Sequence, residues 1–368
     1  MRPLTATDLA AARCVLAVKL SSFGDIVHVT PCLRALRHAC PHAKILAVVD
    51  RTWAPLLRSD PHLDGVIEAD PRRRSFLASY VDARRRLRAC GGSPVDLAID
   101  FQGLPRSAAW VYASAAHCRA GRGGWRPGWH ITVRPDLSRH AVRVCAEVVT
   151  RIGIGVPDLA PRLFPPADAE RTLASILRHA RVSAPAFVVA NPFARWRSKM
   201  WPVERWARLI ERVRDDLGVS VVVAGGTGEE QAAARLNGLV HGVPPANLVG
   251  RTSLPEALCL YRRAALVISG DSGPMHAAAA IGTPVVALFG PTWPEQTGPW
   301  GEGHRVIQLS RGASHRVYRD DTAQRHMAAI DVDTAFTAVA AAYDQCRRED
   351  AVRASAASIR GSCTSGEK

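Results

Sequence analysis

No stretch of this chain is long and apolar enough to cross a bilayer. The longest apolar runs, 264–269 and 285–289, fall far short of the roughly 18 residues that a span requires. No secretory signal is expected either, because Arg13 and Lys19 interrupt the one N-terminal apolar stretch that could serve as its core. A cytoplasmic protein is expected. There are nine cysteines but no C-x-x-C pair and no His cluster at zinc-ligand spacing, so reduced thiols are expected and no metal site. Nor is there a phosphate loop ending in Lys-Ser/Thr, or a complete G-x-G-x-x-G.

Acid is in deficit. Against 48 Lys and Arg stand 33 Asp and Glu, a net charge of +15. The excess implies an acidic partner or a compositional habit of arginine. It is densest at Arg72, Arg73, Arg74, Arg84, Arg85, Arg86 and Arg88, opposed locally by Asp70 and Asp82. Such a patch suits nucleic acid, anionic lipid head groups or a phosphorylated glycolipid. A solvated basic helix face explains it equally well.

At 368 residues the chain is too long for one ordinary core, and two domains are expected. Short β-rich runs recur at 15–18, 45–49, 97–99, 187–190, 219–223, 266–268 and 285–289, with helical patterns between them. Continuous apolar strands separated by helices predict parallel sheets covered on both faces. The proline-rich segment 157–166 can continue neither element and marks a boundary. The expected fold is therefore α/β, two Rossmann-like domains with parallel sheets facing a central cleft: residues 1–165, residues 166–349, and a disordered tail over 350–368.

The polar turns after the strands carry the chemistry. Leu266-Val267-Ile268-Ser269-Gly270 stops at Asp271-Ser272-Gly273-Pro274, and a small-residue helix containing His276 follows. Pro274 suits a first helical turn, and Asp271 or Ser272 can cap the free amides. Those amides and the helix dipole also make a seat for a diphosphate, which His276 could reach.

After the first strand, Gly24 permits a sharp turn that brings the backbone close to an occupant of the cleft. Asp25 then reads either as an N-cap or as a general base for a hydroxyl, while His28 reads as structural. Before the helix entered at Pro202, the cations Arg195, Arg197 and Lys199 gather where a leaving diphosphate would build up negative charge, Lys199 foremost. The interleaved tryptophans offer stacking for a nucleic acid, but no aromatic sheet face accompanies them, and no nucleic-acid partner is expected. In Gly225-Gly226-Thr227-Gly228-Glu229-Glu230 either glutamate can accept ribose hydroxyls or simply cap the next helix. Asp331-Val332-Asp333 reads as capping rather than as a metal site.

Four blocks together resemble the bacterial ADP-heptose:lipopolysaccharide heptosyltransferases, glycosyltransferase family 9, of GT-B fold. They are Val18-Lys19-Leu20-Ser21-Ser22-Phe23-Gly24-Asp25-Ile26-Val27-His28, Asp100-Phe101-Gln102-Gly103-Leu104-Pro105-Arg106-Ser107, Lys199-Met200-Trp201-Pro202, and 270–276 with Phe289-Gly290-Pro291-Thr292. The resemblance spans most of the chain. It implies metal-independent, inverting transfer of a heptose from ADP-heptose to a hydroxyl of the lipopolysaccharide inner core, with no cofactor. By the same resemblance Asp25 is the base and Lys199 the cation at the diphosphate. Asp271, Ser272, Gly273 and His276 hold the donor, with Glu229 near its ribose. Ser22, Gly24, Gln102 and Arg106 lie in blocks expected at the acceptor. The implied partners are the nucleotide sugar and a phosphorylated glycolipid, met peripherally on the anionic cytoplasmic face of the inner membrane.

One departure bears on the sugar. Where relatives carry a pair of small hydroxyl residues before the lysine, this chain has Ala194 and Arg195, which leaves the donor's identity open. The competing readings are a transferase of the same fold with another donor or glycan acceptor, and a GT-B nucleotide-sugar epimerase that needs no acceptor.

Overall fold

The structure, a computed structural model, describes residues 4–73, 75–89, 94–124, 126–182 and 186–363. Arg74 of the basic span lies outside the described residues. The chain divides into two compact units, Met1–Ala167 with Glu295–Trp300, and Asp168–Pro294 with Gly301–Lys368.

The first unit is built on β1 (Cys14–Val18), β2 (Lys44–Asp50), β3 (Gly65–Ala69), β4 (Leu97–Asp100), β5 (Cys118–Arg122) and β6 (Ile131–Val133), in the order β3-β2-β1-β4-β5-β6. Every neighbouring pair is parallel. The second unit repeats the plan with β7 (Phe187–Asn191), β8 (Ser220–Val223), β9 (Ala246–Asn247), β10 (Leu266–Gly270), β11 (Val285–Leu288) and β12 (Arg305–Ile307), in the order β9-β8-β7-β10-β11-β12. Counted from its own first strand, each sheet runs 3-2-1-4-5-6, the Rossmann order. In such a sheet the crossovers leave to opposite sides at the central pair, so a crevice opens at the carboxyl ends of β1 and β4, and likewise of β7 and β10.

All of β1 and β10 is buried, as parallel strands covered by helices on both faces must be. Each fully buried Val or Leu contributes roughly 1.5–3 kcal/mol against exposure. The helix Val203–Leu217 shows how the pattern converts to packing. Its Trp206, Leu209, Ile210 and Val213 fall on one face and join Val188, Val221 and Val339 in the second core. The helix ends at Gly218, whose φ of 62° suits glycine.

The helix Phe23–Ala39 contains Pro31, which cannot donate to Val27 O; Thr30 Oγ1 donates to that carbonyl instead at 2.9 Å. Arg34 of the same helix donates to Asp158 O at 2.8 Å and Ala160 O at 3.1 Å, which ties the proline-rich linker to the first unit.

Five strands lie outside the apolar runs expected to form sheet: β3, β5, β6, β9 and β12. They are short, outlying, or carry charge, so their pairing depends on neighbours rather than on an apolar run. The tail expected to lack structure from residue 350 is helical as far as Cys363, within the helix Val332–Cys363, and 364–368 lie outside the described residues. Its alanine content favours helix even where apolar periodicity is lost. Among the described residues, no helix is long and apolar enough to cross a membrane.

Candidate active site

In the first unit, the segment leaving β1 meets the segment leaving β4 at the sheet's switch point. Asp25 is not the N-cap of its helix; Ser22 holds that position and Asp25 is the third residue inside, completing a capping box. Its Oδ2 accepts from the Ser22 N–H at 3.0 Å and from Ser22 Oγ at 2.9 Å, and its Oδ1 accepts from Lys19 Nζ at 3.2 Å. Burial alone would raise the carboxyl pKa. The Lys19 ammonium, the Ser22 hydrogen bonds and His28 outweigh it and hold Asp25 well below the usual carboxylate range. The side chain is nevertheless 45 % exposed, so an ionised oxygen remains within reach of solvent or substrate, whereas Lys19 is buried. Gly24 makes no sharp turn: it lies inside the first helical turn and has no positive φ.

Gln102 and Arg106 hold this segment from behind. Gln102 Oε1 accepts from the Leu20 N–H at 3.0 Å and the Ser21 N–H at 3.1 Å. Arg106 Nη2 donates to Ser21 Oγ at 3.1 Å and to buried Asp50 Oδ2 at 2.6 Å. Gln102 is itself placed by Asp100, whose Oδ1 accepts from the N–H groups of Gln102 (2.8 Å) and Gly103 (3.0 Å). Gly103 adopts a φ of 78°, and a Cβ there would sit 3.0 Å from Arg122 O. His28 is buried, edge-on to His140 with ring centroids 5.5 Å apart. His140 Nε2 donates to Gly298 O at 3.0 Å, and its ring packs on Trp300, which is why 295–300 belongs with the first unit.

In the second unit the corresponding crevice joins the turn after β7 to the turn after β10. Lys199 Nζ donates to Asp271 Oδ2 at 2.6 Å, and Thr292 Oγ1 donates to the same oxygen at 2.6 Å. Burial would raise the Asp271 pKa, but the Lys199 ammonium, His276 and the two hydrogen bonds lower it, so the carboxylate is ionised. Asp271 therefore does not cap the following helix; it anchors Lys199. That ammonium also lies 4.8 Å from the Tyr318 ring centroid.

Ser272 occupies the cap position of the helix Gly273–Ile281 but gives its amides no hydrogen bond, and its Oγ lies 3.1 Å from Ser269 Oγ. Pro274 falls in the first turn as expected. The result is a helix N-terminus whose cap side chain leaves the amides open, beside an ammonium fixed by a buried carboxylate. Such an arrangement has the chemistry to receive an anion.

Arg195 and Arg197 are exposed, and Arg195 packs over Trp196 instead of joining Lys199. Glu229 Oε2 accepts from the Gly226 N–H at 2.7 Å, and burial raises its pKa despite that bond. Asp331 accepts from Thr334 N and Oγ1 at the start of the last helix, while Asp333 pairs with Arg212.

Residues 83–327 match the profile described as Glycosyltransferase family 9 (heptosyltransferase). The chain belongs to glycosyltransferase family 9. It is 28% identical over 307 residues to lipopolysaccharide heptosyltransferase 1 of Salmonella typhimurium, covering 78% of this chain and 92% of that protein. Among solved structures, a glycosyl transferase family 9 protein from Veillonella parvula superposes with a TM-score of 0.81 at 22% identity, over 90% of this chain and 98% of that one. The E. coli heptosyltransferase WaaC with ADP-2-deoxy-2-fluoro heptose gives 0.59 at 25% identity, over 80% and 93%. The two Rossmann-like domains are thus those of a GT-B glycosyltransferase.

The family 9 match contains Gln102, Arg106, Lys199, Glu229 and 271–276 but begins beyond Asp25. Four partners in this family 9 chain had no assigned role in the sequence: Lys19, Asp50, Thr292 and Tyr318. Lys19 carried one signal, a lysine directly after a buried strand. Nothing local marks Asp50 or Tyr318, which meet their partners through the fold.

Proposed function

We propose that this glycosyltransferase moves a heptose from ADP-heptose to a hydroxyl of the lipopolysaccharide inner core, with inversion at the anomeric carbon, and that it works at the cytoplasmic face of the inner membrane. The observation that carries the reading is the open helix N-terminus at Gly273 beside the Lys199 ammonium locked on Asp271. Such a seat suits an anion, a diphosphate among them. Ser272, Gly273 and His276 line it. Glu229, whose carboxyl pKa is pushed up by burial and which is held by the Gly226 N–H, serves the ribose.

In this reading Asp25 takes the acceptor hydroxyl proton as that oxygen attacks the anomeric carbon. The bond to the diphosphate breaks on the opposite side, and Lys199 and the helix amides stabilise the charge that gathers there. A base with a depressed pKa is ionised and ready at neutral pH, and it accepts the proton late, once bond formation has made the hydroxyl acidic. Ser22 and Gly24 frame the acceptor side. Gln102 supports it through the Leu20 and Ser21 N–H groups, and Arg106 through Ser21 Oγ and Asp50.

The test is a panel of nucleotide sugars in thermal denaturation, since a ligand bound only by the folded state raises Tm. ADP-linked heptose should stabilise the protein and be consumed only when a heptose-deficient lipopolysaccharide acceptor is added. Stabilisation by UDP-linked sugars alone would remove the heptose donor, and donor turnover without acceptor would replace transfer by epimerisation or hydrolysis.

A further inference from the structure

The helix Phe76–Ala89 in the first unit is arranged contrary to an ordinary surface helix. Its buried face carries Ser79, Asp82 and Ala83, while Leu77 (71 %) and Val81 (60 %) point to solvent. Leu77, Val81, Arg84 and Arg88 follow one another at spacings of four, three and four residues, and Arg85 lies four beyond Val81, so they share one face. Asp82 pairs with Arg85 at 3.3 Å and Arg86 at 3.0 Å. Among the described residues, Arg84 and Arg88 have no acidic partner.

Tyr80, Val81, Arg84, Arg85 and Arg88 line an open groove of about 470 Å³. Beside it runs a ladder of rings: Phe76, itself 42 % exposed, stacks on Tyr80 and meets Tyr112, which meets Trp129. Arg119 lies over Tyr112 and Arg126 over Trp129.

We propose that the exposed face of the helix Phe76–Ala89 docks on an anionic phospholipid bilayer, with Leu77 and Val81 inserted below the headgroups and Arg84, Arg85 and Arg88 on the lipid phosphates. The chemistry favours this occupant over a protein surface. Two neighbouring aliphatic side chains are too small a patch for a stable protein interface, yet they suffice to anchor a helix in a lipid interface where cations also contribute. The inference deepens the proposed function by naming the element that meets the membrane. It rests on that reading only in the choice of surface, and vesicles free of any glycan acceptor test it separately.

The full chain is sedimented with vesicles of phosphatidylcholine alone and of phosphatidylcholine with phosphatidylglycerol, at low and high salt. Binding should require the anionic lipid, fall with salt, and drop at least tenfold in Leu77→Glu/Val81→Glu and in Arg84→Glu/Arg88→Glu. Nucleotide-sugar stabilisation in the thermal assay should be unchanged in both variants, which separates this outcome from loss of the donor site. A Val81→Cys chain labelled with an environment-sensitive dye, compared with the unaltered chain treated with the same dye to subtract labelling of its own cysteines, should shift to the blue on anionic vesicles, a readout that does not depend on the charge-reversed variants folding. Three results overturn the proposal: no binding to anionic vesicles, unchanged binding by Leu77→Glu/Val81→Glu, or a dimer in solution that this variant splits.

Discussion

Lys199 donates to Asp271 at 2.6 Å although 72 residues separate them in sequence. The contact exists because β7 and β10 are neighbours at the centre of their sheet, so the turns that follow them open into one crevice. It makes the pair a unit. Asp271 fixes the ammonium, and the ammonium keeps a buried carboxylate ionised.

Removing the two partners should therefore have different signatures. Lys199→Ala is expected to weaken ADP binding and lower kcat together, because the cation acts on bound and departing diphosphate alike. Asp271→Asn leaves the ammonium buried with its countercharge gone, and should cost up to about 3 kcal/mol in urea unfolding as well as activity. Equal stability of Asp271→Asn and the unaltered protein would show that the pair is not a structural anchor.

Asp25→Ala should abolish turnover, with modest loss of donor binding, in a steady-state assay paired with ADP titration. A variant retaining near-normal kcat removes the base role. Lys19→Met is the subtler probe. With the ammonium gone, burial acts on Asp25 unopposed by its largest favourable neighbour, so its pKa rises and the acid limb of the kcat/KM profile moves to higher pH. A limb that stays in place would assign that ionisation to another group.

Gln102 reaches the chemistry through the backbone of Leu20 and Ser21, so it is a positioning residue. Gln102→Ala should lower kcat more than it raises the acceptor KM, and Gln102→Glu, which keeps an oxygen for both N–H groups, should recover much of the loss. A change confined to acceptor KM would mean that the side chain binds the acceptor directly.

Acid should unfold the protein by a route that Asp25 and Asp271 share. Both carboxyls are lowered in the folded state, so the unfolded chain takes up those protons first. Their stabilisation is complete above the ordinary Asp value of about 3.9 and is lost as pH falls from there through the folded values. Urea midpoints measured from pH 6 to pH 3 should decline at the acid end, and less steeply in Asp271→Asn. Parallel curves would exclude this carboxylate as a source of the slope.

Much of this protein was legible before folding. The seven apolar runs, the proline-rich break and the polar turns at strand ends specify two doubly wound sheets, because a strand buried on both faces must be apolar throughout and a turn at its end must be polar. Asp25, Lys199, Asp271 and His276 stand out for the same reason, as ionisable groups in the turns and first helical turns that follow the strands. The tertiary structure alone decided which of them touch. It turned Asp271 from a helix cap into the anchor of Lys199, set Asp25 inside a capping box against Lys19, and put Gln102 and Arg106 behind the loop they support. Those outcomes depend on strand order, which brings β1 beside β4 and β7 beside β10. Order follows from how helices cross over a whole sheet, and no local run of residues encodes it.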